Sequence, residues 1–210
     1  QISQEQAEEA LKAAKLAFPA WKKTPVSERA NILRKAGDLM EARRHELNAW
    51  ICLETGKTLR ETDPEVSEAI DFCRYYADEM ERLQNGYDVK PDDLSQVRGF
   101  KKYDVAGETN RYFYQPRGIA LVISPWNFPF AIATGMTVAA LVTGNCTLLK
   151  PAATSSVIGA KIAEILIEAG MPKGVFQFVP GRGSTVGNYM VKHPDVHLIA
   201  FTGSREVGCD

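Results

Sequence analysis

What most constrains the fold of this 210-residue chain is a change of composition near residue 118. Residues 1–117 carry 19 basic and 21 acidic side chains, whereas residues 118–204 carry five basic and three acidic. Glycine runs the other way, with only five of the 16 ahead of residue 118. A stretch so poor in charge cannot give every strand a solvated face. Its short apolar runs, Ile119–Ile123, Cys146–Leu149, Val175–Val179 and His197–Phe201, therefore read as strands buried on both sides. Helix-like stretches lie between them at Phe130–Val142, Ser155–Ala169 and Ser184–Lys192. Strand and helix in alternation, with short connections, predict βαβ units and a mostly parallel sheet. Crossovers in such units are right-handed, which makes the sheet doubly wound, with helices on both faces.

The charged half reads as helices. Ser3 and Gln6 have the spacing of a capping box, and Ala7, Ala10, Leu11, Ala14, Ala17 and Phe18 follow at helical intervals as far as Pro19. Ser27 opens a second helix whose apolar face runs from Ala30 to Ile51, with Gly56 as its stop. Asp63-Pro64 starts a third, which carries Val66, Ala69, Ile70, Cys73, Ala77 and Met80 to Gly86. Residues 87–109 read as loop and 110–116 as an exposed strand, an edge because of Pro116. Three regions follow: a helical part over 1–100, a loop and extended arm over 101–118, and the first part of an α/β sheet over 119–210.

Composition excludes several classes. A net charge of −1 argues against a protein that binds nucleic acid by bulk electrostatics. No apolar run reaches the ~20 residues that span a bilayer. Cys52, Cys73, Cys146 and Cys209 are widely spaced, with no CxxC, and no metal site is expected. The opening Gln1-Ile2-Ser3-Gln4-Glu5 has neither the basic nor the apolar part of a secretory signal, which predicts a cytoplasmic protein. The absent initiator Met and the close at Gly208-Cys209-Asp210 suggest a segment of a longer chain.

Polar residues gather after the strands. Ser124-Pro125-Trp126-Asn127-Phe128-Pro129 follows the first, Lys150-Pro151-Ala152-Ala153-Thr154-Ser155 the second, Pro180-Gly181-Arg182-Gly183-Ser184 the third and Thr202-Gly203-Ser204 the fourth. Loops at the carboxyl ends of parallel strands share one rim, where open α/β sheets bind ligands. The glycines of 181–187 match neither GxGxxG nor a Walker A loop. Each loop alone is an ordinary turn; four with such chemistry make a ligand site.

Pro125-Trp126-Asn127-Phe128-Pro129 resembles the PWNFP motif of the aldehyde dehydrogenase superfamily. Lys150-Pro151-Ala152 and Phe201-Thr202-Gly203-Ser204 resemble two further elements of that family, in its order, and Leu53-Glu54-Thr55-Gly56-Lys57 resembles part of its N-terminal segment. The similarity covers nearly the whole chain. Residues 68–77 and 131–145 look most like the branch that oxidises L-glutamate γ-semialdehyde to glutamate in proline catabolism. The resemblance implies a Rossmann-like sheet, a small aldehyde substrate, NAD as cofactor and a homo-oligomeric full-length enzyme.

In this family a cysteine thiolate attacks the aldehyde, hydride passes to the nicotinamide, and water hydrolyses the thioester. By resemblance, the Asn127 amide stabilises the oxyanion. The same resemblance implies that Lys150 would hold the adenosine ribose. It implies that Gly183, Gly187, Thr202, Gly203 and Ser204 would face the pyrophosphate and nicotinamide ribose, with Trp126, Phe201 and Val207 packing nearby. Glu68 would approach the substrate's amino group, and Phe128 would pack beside its aliphatic chain. Ala153 departs from the family's frequent ribose-gripping Glu, which implies tolerance of NADP. The family's nucleophilic Cys and general-base Glu lie downstream of Phe-Thr-Gly-Ser, beyond residue 210. Residues 1–210 alone, without that catalytic domain, are thus expected to be inactive. Two alternatives stay open: a non-catalytic nucleotide-binding or assembly module, and a dehydrogenase for a different aldehyde.

Overall fold

Four strands form a parallel sheet in the order β5-β4-β3-β6, where β3 is Ile119–Ile123, β4 Cys146–Lys150, β5 Phe176–Phe178 and β6 Leu198–Phe201. This is a computed structural model, and it describes residues 1–84, 87–88 and 111–209. All five residues of β4 are buried, as are Ile119–Val122 of β3, which is why both runs lack charge until Lys150. β6 lies at one edge, with Leu198 and Ile199 exposed, so the run at 197–201 is not buried on both sides as its composition suggested: an edge position leaves its outer side without a neighbour among the described strands.

Helices α5 (Ala131–Val142) and α6 (Ser156–Glu168) make the crossovers from β3 to β4 and from β4 to β5. Both steps run in one direction along the sheet, and right-handed crossovers therefore place both helices on one face. The return from β5 to β6 passes through a π-helical turn at Gly183–Gly187 and α7 (Asn188–Val191), on the opposite face. The adjacent strands β3 and β6 thus mark the point where the winding reverses, and the crevice at their carboxyl ends is the ligand position of such sheets.

The N-terminal helices are α1 (Gln4–Trp21), α2 (Val26–Ala42), α3 (Arg44–Thr55) and α4 (Leu59–Leu83). Ser3 and Gln6 cap α1 as expected, but the helix runs past Pro19, because Lys22 N still bonds Phe18 O and Trp21 is drawn into the core. The long second helix is instead two. It breaks at Arg43 (φ −104°, ψ 16°), and Pro25 rather than Ser27 precedes its start. Gly56 ends α3 with φ +75°, in the left-handed region where glycine carries no Cβ penalty. The third predicted helix starts earlier than Asp63, because Thr58 and Glu61 form a capping box, and it ends at Leu83.

A two-residue strand β1 (Tyr87–Asp88) pairs antiparallel with β2 (Arg111–Tyr112). Part of the expected loop is therefore strand, and among the described residues of the expected 110–116 strand two, Arg111 and Tyr112, are paired. The remainder of the loop, together with the first part of the 101–118 arm, lies outside the described residues. Among the described residues no helix is long and apolar enough to cross a membrane.

One buried core joins the helical part to the sheet, running from Ala7, Leu33 and Ile70 to Leu121, Leu148 and Ile162. Gly135 lets α4 and α5 close together, since a Cβ there would lie 2.8 Å from the Phe72 ring. Indole Nε1 of Trp21 donates to Leu141 O at 3.2 Å, and Nε of Arg29 donates to Val142 O at 2.8 Å. The Arg29 bond satisfies a carbonyl that the end of α5 leaves without a backbone partner, whereas Leu141 O also accepts from Gly144 N at 3.0 Å.

Candidate active site

At the carboxyl ends of β3, β4 and β6 lies a crevice of about 440 Å³, lined by Ile123–Asn127, Lys150, Ala152, Phe201–Ser204 and Val207. Eight of the site residues expected from the sequence bear on it directly: Asn127, Trp126, Lys150, Phe201, Thr202, Gly203, Ser204 and Val207.

The loop after β3 is held at both ends. Pro125 and Pro129 are buried, while Trp126, Asn127 and Phe128 between them are exposed. Fixed proline φ angles at buried positions restrict how the exposed residues sit. Oδ1 of Asn127 accepts a hydrogen bond from Phe128 N at 3.1 Å. The carbonyl end of that amide is thereby engaged locally, and the Nδ2 donors are left for another group. Trp126 is 66% exposed at the crevice rim and also lines a neighbouring 260 Å³ cleft with Glu54, Thr55 and Thr154.

Lys150 ends β4 and is buried to 6% exposure, rather than solvated. Its ammonium donates to Pro151 O at 3.1 Å, and desolvation moves its pKa below the ordinary lysine value. A buried cation with one carbonyl partner has donor capacity to spare toward the crevice. Ser124 Oγ, on the crevice wall, is buried and has no hydrogen-bond partner among the described residues. It was not singled out from the sequence; its place as the first residue after a strand is the signal it offered.

Gly187 packs against the lysine stem, since a Cβ would stand 3.3 Å from Lys150 Cε. Gly203 packs on Phe201, where a Cβ would meet the ring at 2.6 Å. The loop before the last described helix, α8 (Arg205–Cys209), depends on that close approach. Gly183 is exposed, with nothing near its Cβ position, and neither it nor Gly187 lines the crevice.

Glu68 lies on the exposed face of α4 and is not brought to the crevice. Glu65, one turn earlier, is the carboxylate turned inward. Its Oε1 accepts from Phe130 N at 2.8 Å and Ala131 N at 3.4 Å, and its Oε2 pairs with Lys57 Nζ at 2.6 Å. Nothing in its spacing separates it from the other acids of α4. Phe128 lies outside the crevice lining, with its ring centroid 4.1 Å from Lys57 Nζ. Glu54 caps α6 in the same manner, accepting from Val157 N at 2.7 Å and Ile158 N at 2.8 Å. The helices that follow β3 and β4 thus already hold carboxylates at their N-termini.

Comparison with known proteins adds to this geometry. The profile of the aldehyde dehydrogenase family matches residues 1–210. A 1-pyrroline-5-carboxylate dehydrogenase of Geobacillus thermodenitrificans is 48% identical over 206 residues, or 98% of this chain. The chain spans only 38% of that relative's length. Among solved structures, a 1-pyrroline-5-carboxylate dehydrogenase from Thermus with bound NAD superposes with a TM-score of 0.87 at 43% identity, covering all of this chain and 38% of that one. Proline utilization A of Bdellovibrio bacteriovorus, inactivated by N-propargylglycine, superposes with a TM-score of 0.89 at 43% identity, covering all of this chain and 20% of that one.

Proposed function

The chain belongs to the aldehyde dehydrogenase family, and from that premise we propose that it is the cofactor-binding portion of an NAD-dependent dehydrogenase that oxidises L-glutamate γ-semialdehyde to glutamate. The observation that carries the reading is the convergence of Asn127, Lys150 and Thr202–Ser204 on one crevice, at the point where the sheet's winding reverses. The choice of aldehyde rests on the relatives' 48% and 43% identity.

The residues present fit NAD. The buried Lys150 ammonium has donors to offer the hydroxyls of the adenosine ribose. Ser124 Oγ is a buried hydroxyl on the same wall, unpartnered among the described residues. NAD, when bound, supplies the hydride acceptor. Phe201, Val207 and Trp126 give the crevice apolar surface against which a nucleotide packs. Gly203 and Ser204 bring backbone N–H groups toward its phosphates, whereas the Thr202 N–H is already given to Ile123 O at 3.1 Å, which leaves that residue its hydroxyl. The roles of Gly183 and Gly187 are indirect: they shape the turn that presses on Lys150.

Asn127 acts on the substrate. When a thiolate adds to the aldehyde, negative charge gathers on the former carbonyl oxygen, and an amide donor fixed beside it lowers the barrier without titrating. The clasp of Oδ1 by Phe128 N orients Nδ2 for that task. Phe128 and Glu68 lie outside the cofactor crevice; Phe128, next to Asn127, is assigned to the aliphatic part of the aldehyde and the exposed Glu68 carboxylate to its ammonium group. No cysteine of the described residues lines the crevice, and Cys73 and Cys146 are buried. The nucleophile and the base that activates water belong to the part of the enzyme that follows Phe-Thr-Gly-Ser. Residues 1–210 by themselves are therefore expected to show no aldehyde oxidation.

Tryptophan fluorescence of the full-length polypeptide tests the cofactor site. NAD is expected to quench the emission, the effect is expected to vanish in Trp126→Phe, and Lys150→Met is expected to weaken NAD by roughly tenfold or more, as for a lost charged hydrogen bond. Unchanged NAD affinity in Lys150→Met would place the ribose elsewhere.

A further inference from the structure

Lys57 and Glu65 lie outside the crevice, yet they grip the loop that carries Asn127. Gly56 reverses the chain at the end of α3, and Lys57 follows at once, its ammonium 2.6 Å from Glu65 Oε2. The Glu65 side chain is wholly buried, and that of Lys57 is 16% exposed. An unpaired carboxylate at such a place would be strongly unfavourable, so the lysine neutralises a charge already committed to a second task. That task is to accept the N–H groups of Phe130 and Ala131, the free donors at the start of α5. The same ammonium stands 4.1 Å from the centroid of the Phe128 ring, a cation–π contact. Phe128 and Phe130 are thus each tied to the pair, and both lie within three residues of Asn127.

We propose that the Lys57–Glu65 pair is a positioning device that fixes the Asn127 amide at the oxyanion position. The proposal rests on the assignment of Asn127 above. The pair touches neither substrate nor cofactor. It acts through the loop, and misplacing a reacting group by about 1 Å can cost about 10²-fold in rate.

The test is a double-mutant cycle in the full-length polypeptide, following NADH formation from L-glutamate γ-semialdehyde. Lys57→Met is expected to lower kcat at least about tenfold, with the aldehyde KM and the NAD dissociation constant within about twofold. Lys57→Arg is expected to recover most of the loss. Combining Lys57→Met with Asn127→Ala is expected to add nothing to Asn127→Ala alone, because two residues acting as a unit are not additive. Amide exchange at Phe130 and Ala131 is expected to quicken in Lys57→Met and in Glu65→Gln. Fully additive losses would overturn the positioning role, as would a higher KM at unchanged kcat. No turnover by the unmodified protein would instead overturn the assigned reaction, and the positioning role with it.

Discussion

The side-chain carbonyl of Asn127 accepts the N–H of Phe128 at 3.1 Å, and this one pairing fixes which end of the amide is left to act as a donor. An Asp at the same position keeps the acceptor but has no donor, so the two functions of the amide separate cleanly.

Asn127→Ala and Asn127→Asp are accordingly both expected to lower kcat by roughly 10²–10³ in the full-length enzyme, with little change in NAD affinity. Steady-state kinetics with the chemical step shown to be rate-limiting is the check. Activity retained in the Asp variant would mean that the amide's role is to shape the turn.

Cofactor discrimination turns on Ala153, where a carboxylate would accept the ribose hydroxyls and repel a 2′-phosphate. Lys150 lines the crevice and is placed to tolerate that phosphate, but Ser155 is buried at 1% exposure and Ser156 Oγ already bonds Ala152 O and Ala153 O. Glu54 likewise occupies Val157 N and Ile158 N at the start of α6. NADP is expected to support measurable turnover, at a lower kcat/KM than NAD, and Ala153→Glu is expected to abolish it. NADP inert with the unmodified enzyme would show that another group enforces the choice, with Glu54→Gln the first variant to try.

Burial pushes the thiols of Cys73 and Cys146 up from 9.0 to about 12. In the native protein both are expected to resist thiol reagents at neutral pH, while the exposed Cys209 reacts. The sign for stability follows from linkage. Between pH 9 and 12 the unfolded chain gives up these protons and the folded one keeps them, so stability falls as pH rises through that window, by about 1.4 kcal/mol per pH unit for each thiol. Denaturant unfolding is expected to show a shallower alkaline loss in Cys73→Ala. An unchanged slope would assign the loss to other groups.

Much of the sheet was legible because a strand buried on both faces leaves a short apolar run that little else produces. The rim was legible because Asn127 and Thr202 follow short apolar runs and Lys150 closes one, although the run before Thr202 is an exposed edge strand rather than a buried one. The helical half was less so. Arg43 interrupts what reads as one apolar face, and Thr58 rather than Asp63 opens α4, through a capping box hidden in an ordinary polar stretch. Glu54, Lys57 and Glu65 were invisible in their roles, because each acts on an element that only the fold brings near. Val157 lies 103 positions from Glu54, and Phe130 lies 65 from Glu65. Lys150 gave the opposite lesson: a charge in an apolar run looks like the end of burial, yet the ammonium is itself buried.

The most direct measurement is the specificity of the full-length polypeptide, read as NADH formation with L-glutamate γ-semialdehyde and with short unsubstituted aldehydes under the same conditions. A site that pairs the substrate's charged groups is expected to favour the semialdehyde in kcat/KM by about 10² or more. Equal rates with all the aldehydes, or none with the semialdehyde, would contradict the proposed function.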